Sequence, residues 1–154
     1  LLRYAGIRAS LYPANVQLQV DAALETIADI HKSFLPAWYG HCLARNPLTG
    51  GFFDDTKLSN EQLQAVLLSI NTVMLPTRLK QLEAMVQQSG GPFLCGAALT
   101  IADLSVLVLL KGLSNGTFCQ GVRLTTPEVT SSLPKLAQLV AELETLLVTT
   151  SEGI

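Results

Sequence analysis

Thr100 and Asp103 constrain this chain more than any other pair of its residues. A threonine three positions before an aspartate is the spacing at which each side chain can bond the other's free backbone N–H where a helix starts. Leu99 and Leu104 flank the pair at the two positions of a hydrophobic staple. The run that follows is almost wholly apolar as far as Leu110, and a helix apolar on every face has to be buried. The spacing therefore predicts a core helix from Thr100 to near Gly112. Ser59 and Gln62 repeat the box, with Leu58 and Leu63 as its staple. They predict a second helix to about Gln88, bent near Pro76 and stopped by Ser89-Gly90-Gly91-Pro92.

The rest of the chain reads the same way. Leu1–Ala9 is a helix tail that ends in the Leu11-Tyr12-Pro13 turn. From Val16 to about Leu43, Leu18, Ala22, Ile27, Ile30, Phe34 and Leu35 recur at helical steps, with Asn15 as N-cap and Pro36 as the point of bending. Arg45–Leu58 and Ser114–Thr126 are loops, Pro127 opens a short helix, and Pro134 opens a final one to about Val148. No segment alternates as a strand does. The fold class is all-α: a bundle with two long kinked helices and the buried, capped one.

Composition narrows what such a bundle can do. With 154 residues it forms one domain, and a net charge of −2 with ten scattered basic residues leaves no footprint for nucleic acid or an anionic membrane. Asp103 and Lys111 bracket the longest apolar run, which is too short to span a bilayer. Cys42, Cys95 and Cys119 share no short spacing, so a reducing compartment fits better than a disulfide framework. His41-Cys42 is an adjacent pair rather than a metal-binding spacing, and Gly50-Gly51 and Gly90-Gly91 lack the Lys-Ser/Thr of a phosphate loop. Cys95 reads as an inert buried thiol. Charged residues make only 14%, against about 25% in ordinary domains. So few charges predict apolar surface that another domain or chain covers, and a protein that needs a partner to stay soluble.

The segment Pro92–Leu110, an apolar pair and Gly leading into Leu99-Thr100-Ile101-Ala102-Asp103-Leu104, resembles the capping segment in the C-terminal domain of glutathione S-transferases. Leu75-Pro76-Thr77-Arg78-Leu79 and Leu133-Pro134-Lys135-Leu136 are similar to its kink and to its last helix start. Leu1-Leu2-Arg3-Tyr4-Ala5-Gly6, then Leu11-Tyr12-Pro13, looks like the end of the family's thioredoxin-like domain and its linker. The resemblance thus implies two parts: residues 1–14 as that tail and linker, and 15–154 as the helical domain. It also implies chemistry elsewhere. The family's catalytic Tyr, Ser or Cys, its cis-Pro segment and its Glu/Gln-Ser pair for glutathione have no matching position in these 154 residues.

Two positions, Asp29 and Tyr39, match places where the family meets ligands, and Trp38 and His31 are candidates beside the second. Asp29 falls where several members reach the glutathione of the partner subunit, a carboxylate for an ammonium; with Asp21 and Glu25 it also forms an acidic stripe that solvent alone would explain. Tyr39, with Trp38 beside it, matches an aromatic of the apolar electrophile site, and a Trp-Tyr pair after a proline equally packs a groove. His31, one turn before Phe34 and Leu35, could face that site or sit half-buried. Thr100, Asp103, Ser59 and Gln62 carry folding.

The resemblance implies either a noncatalytic interaction and assembly module, buried against other chains, or the C-terminal half of an enzyme that conjugates glutathione to apolar electrophiles. No cofactor is required; glutathione would be a substrate if the thioredoxin-like half exists. The expected partners are other chains, that missing half or a second copy. The family's default compartment is the cytosol, and an organelle-targeting peptide upstream of Leu1 would leave no trace here.

Overall fold

A computed structural model of the chain describes residues 1–38, 59–118, 121, 122, 124 and 131–151. Seven helices cover most of them, and the only strand-like pairing among these residues is an isolated bridge between Phe93 and Gly96. Helix α1 (Leu2–Arg8) is followed by a single 3-10 turn (Ala14–Val16) and the long α2 (Gln17–Ser33). Asn15 is not the N-cap. It lies inside the 3-10 turn, and α2 begins after Val16 with no side-chain cap, because the chain leaves Pro13 extended and tightens before it turns helical.

Helix α2 buries Val20, Ala23, Leu24, Ile27 and Ile30. Leu18 and Ala22, counted with the apolar face by sequence, are exposed, Leu18 at 81%. They sit on the flank of a stripe centred on Ala23 and Ile27. At Phe34 the helix breaks (φ −102°, ψ 3°) and restarts as α3 (Leu35–Trp38). Pro36 lies in the first turn of the restart, where its missing N–H costs nothing. The expected bend is a full break. The Arg45–Leu58 loop and the short helix expected at Pro127 lie outside the described residues.

Helix α4 (Asn60–Ser69) opens on the Ser59 box: the Gln62 amide donates to Ser59 Oγ at 3.2 Å, and the Ser59 amide donates to Gln62 Oε1 at 2.9 Å. It runs through a π-turn (Ile70–Met74) into α5 (Leu75–Gln88). The π-turn explains how Pro76 is tolerated within one continuous rod. A widened turn ahead of the ring absorbs the bond that proline cannot make.

Helix α6 (Ile101–Asn115) is the axis of the core. Ile101, Ala102, Val106, Leu109, Leu110 and Leu113 are all buried, and it packs on α2 and on α7 (Pro134–Ser151). It runs three residues beyond Gly112 and ends at Gly116, which takes a left-handed backbone. Gly112 is interior for a packing reason. The Phe118 ring lies directly against it, where a β-carbon would collide.

The N-terminal helix is locked to this frame. A β-carbon on Gly6 would stand 2.6 Å from Ile101 Cγ2, so only glycine lets α1 approach α6 so closely. The Ile101 amide donates to the Leu11 carbonyl at 2.9 Å. Arg3 bonds Asp21 at 2.6 Å and Glu25 at 3.2 Å, and Tyr12 Oη donates to Asp21 at 2.8 Å. No helix among the described residues is long and apolar enough to cross a membrane.

Candidate functional site

The start of α6 is a polar cluster in which Thr100 and Asp103 are fully buried. The box is formed, and its strong half is the carboxylate: Asp103 accepts from the Thr100 amide at 2.8 Å, from the Thr100 hydroxyl at 2.7 Å and from the Leu94 amide at 2.7 Å. The last bond ties the 92–96 turn to the helix, a link that spacing alone does not reveal. Burial raises the Asp103 carboxyl above its ordinary range, against the pull of these bonds. Cys95 is buried next to it. Burial first, then the Asp103 charge, push its thiol up to about 11, so at neutral pH it is protonated and a poor nucleophile.

A second buried carboxylate escapes any reading of local spacing. Glu83, on α5, accepts from the amides of Lys135 at 3.0 Å and Leu136 at 2.8 Å, and from Gln87 Nε2 at 3.1 Å. It caps the first turn of α7 from fifty residues away in sequence.

One concave feature of the fold lies between α1, α2 and α6. It is an open groove of about 500 Å³, lined mainly by apolar side chains: Leu2 from α1, Leu24, Ile27 and Ala28 from α2, and Leu104 and Val108 from α6. Arg3, Glu25, His31 and Ser105 complete the wall. Val108 in its wall is 61% exposed, and α1 also exposes Tyr4 at 66% and Ile7 at 59%. His31 closes one end. Its Nδ1 lies 3.1 Å from the Ile27 carbonyl, so the neutral ring donates there. Its ring centroid is 5.6 Å from that of Phe34 and 5.2 Å from that of Phe118, edge-on to both. Half-burial holds the imidazole below its ordinary basicity.

Of the candidate ligand positions whose side chains are described, His31 lines this groove. Asp29 does not line it, and its carboxylate pairs with Lys32 of the same helix at 3.1 Å. The acidic stripe is divided by function. Asp21 and Glu25 hold Arg3, and that guanidinium keeps Asp21 below the usual carboxylate range, whereas Asp29 has no tie to α1 among the described residues. Trp38 ends α3, with its side chain outside the described residues, as is the whole of Tyr39. No group of three His, Cys, Asp or Glu among the described residues is arranged to hold a metal ion.

The family model described as "Glutathione S-transferase, C-terminal domain" matches residues 45–146, about two thirds of the chain. No curated protein matches the chain. The match spans both capping boxes, the π-turned rod and the buried helix α6, and the described residues within it are mostly helical. The chain therefore belongs to the glutathione S-transferase superfamily, of which it carries the C-terminal helical domain.

Proposed function

We propose that this chain works as a noncatalytic interaction module whose working surface is the groove between α1, α2 and α6 together with the outer face of α1. One observation carries the reading: an open, mainly apolar groove lined by exposed Leu2 and Val108, beside an α1 that also exposes Tyr4 and Ile7, in a chain with few surface charges to spare. Apolar area of this kind marks a surface that another polypeptide covers. Three helices bound the groove and leave its fourth side open, which suits an amphipathic helix of the family's thioredoxin-like half or a chain of similar shape. In this reading residues 1–14 belong structurally with that half, held in register by Arg3, Tyr12 and the bare Gly6.

The test is twofold. Purified chain should show no glutathione-dependent conjugation to an aryl halide; a measurable rate would defeat the noncatalytic reading. It should also self-associate in sedimentation velocity as concentration rises, and replacing Leu2, Tyr4 and Ile7 together by Ser should shift it toward monomer. A wild-type chain that stays monomeric at high concentration contradicts the proposed surface.

A second reading, the C-terminal half of a conjugating transferase, is favoured by Asp29. Among the described residues it is the member of the acidic stripe that α1 leaves unclaimed, paired with Lys32 on an exposed face. There a carboxylate could meet a ligand's ammonium. Conjugation lost on Asp29→Asn, in a longer chain that is active, would select this reading.

A further inference from the structure

We infer that α1 and its linker as far as Tyr12 form an electrostatic strap over the first turn of α6, closed by Arg3 in dilute salt and opened locally by high ionic strength while the bundle stays folded. The strap goes beyond the reading of the chain as an interaction module and stands whether or not that reading does.

Helix α1 buries little apolar area. Gly6 is its one buried residue, the buried apolar core begins at Val20 in chain order, and Leu11 and Tyr12 pack on that core part-buried. Arg3 holds the helix from outside: Nε donates to Asp21 Oδ1 at 2.6 Å and Nη2 to Glu25 Oε1 at 3.2 Å. The Tyr12 hydroxyl donates to the same Asp21 oxygen at 2.8 Å, so both ends of the strap meet on one carboxylate. Asp21 and Glu25 stand one helical turn apart on α2, where like charges repel. Arg3 cancels that repulsion besides supplying two bonds, which lifts it above an isolated exposed ion pair of small worth. Arg3 first, and then Tyr12, hold the Asp21 carboxyl below the usual carboxylate range. The Arg3 and Asp21 side chains are 49% and 32% exposed, so dissolved ions reach the clasp and screen it.

Closure carries a cost and has a consequence. Ser10, just after α1, has φ 58°, a left-handed backbone that a side chain disfavours, so contacts elsewhere hold that turn in place. Beyond it, the Leu11 carbonyl accepts from the Ile101 amide at 2.9 Å. Ile101 is the first residue of α6, where a helix offers no acceptor to its own N–H groups. Gly6 lies against the Ile101 side chain. Release of the strap therefore uncovers that amide and that side chain together, while the Thr100–Asp103 box still holds the helix start. Pro13, extended at φ −72° and ψ 139°, joins the strap to the next turn and is where it pivots.

Hydrogen exchange of the Ile101 amide in dilute solution of the whole 154-residue chain tests the strap, with the Leu109 amide, deep in the same helix, as reference. Between about 10 mM and about 1 M NaCl, exchange at Ile101 should accelerate roughly three- to fivefold relative to Leu109. Arg3→Met keeps the aliphatic stem and removes the charge. It should exchange fast at both salt concentrations, with the salt dependence gone. Wild-type exchange that ignores salt would overturn the strap, and so would an Arg3→Met variant that keeps the wild-type salt profile. Equal acceleration at Ile101 and Leu109 would show the whole bundle opening, and would overturn it too.

Discussion

Two buried carboxylates do the same work by different routes. Asp103 satisfies amides at the start of its own helix, and Glu83 satisfies amides at the start of another. Each carboxylate replaces water for N–H groups that the core has sealed, and a charge-assisted bond of this kind is worth roughly 1.5–3 kcal/mol. Removing the acceptor leaves several buried donors with nothing to bond. Asp103→Ala and Glu83→Ala should therefore each lower the unfolding free energy by about 3 kcal/mol, measured in urea. Ser59→Ala, at an exposed cap that water can replace, should cost only about 1 kcal/mol. Equal losses at all three positions would contradict the distinction between sealed and open caps.

Among elements, α1 depends on a close approach to α6, and the corner after α2 on an aromatic cluster. Gly6 lets α1 touch Ile101, and any larger residue must push the helix away. Gly6→Val should strip α1 from α6, costing roughly 1–3 kcal/mol and exposing the Arg8–Leu11 connection to protease, as seen by limited proteolysis. At the corner, His31 contributes a pH dependence of known sign. Its folded-state pKa is depressed from the ordinary 6.5, chiefly by burial, so the unfolded chain takes up a proton more readily. The stability this residue provides is complete above pH 6.5 and is lost as the pH falls through its folded value. In thermal melts from pH 7.5 to 5, His31→Phe should flatten that decline, and an unchanged slope would assign it to other groups.

For the whole molecule, the sparse charge and the open groove are two sides of one fact. A bundle that covered all its apolar faces would not leave Leu2, Tyr4, Ile7 and Val108 in water. The self-association expected of the chain, and its suppression by polar replacements on α1, belong to this scale. Much of the frame was legible in sequence because its signals are local. A capping box lies within four residues, a proline kink within one turn, and an apolar stripe within one helix. The misplaced N-cap at Asn15, and Leu18 and Ala22 counted as core, mark the limit of that reading. Periodicity gives the direction of a face, but the neighbours that cover it settle its edges.

The sequence by itself determined the helices, two of their starting points and membership of an all-α family, because hydrogen bonds and periodicity a few residues apart are written in order along the chain. Only the tertiary structure decided that Glu83 caps a helix some fifty residues away, that Arg3 claims two acids of the stripe and leaves Asp29, and that His31 closes an apolar groove between three helices. Those outcomes depend on which surfaces meet in space. Contacts between residues far apart in the chain carry no spacing from which they could be read.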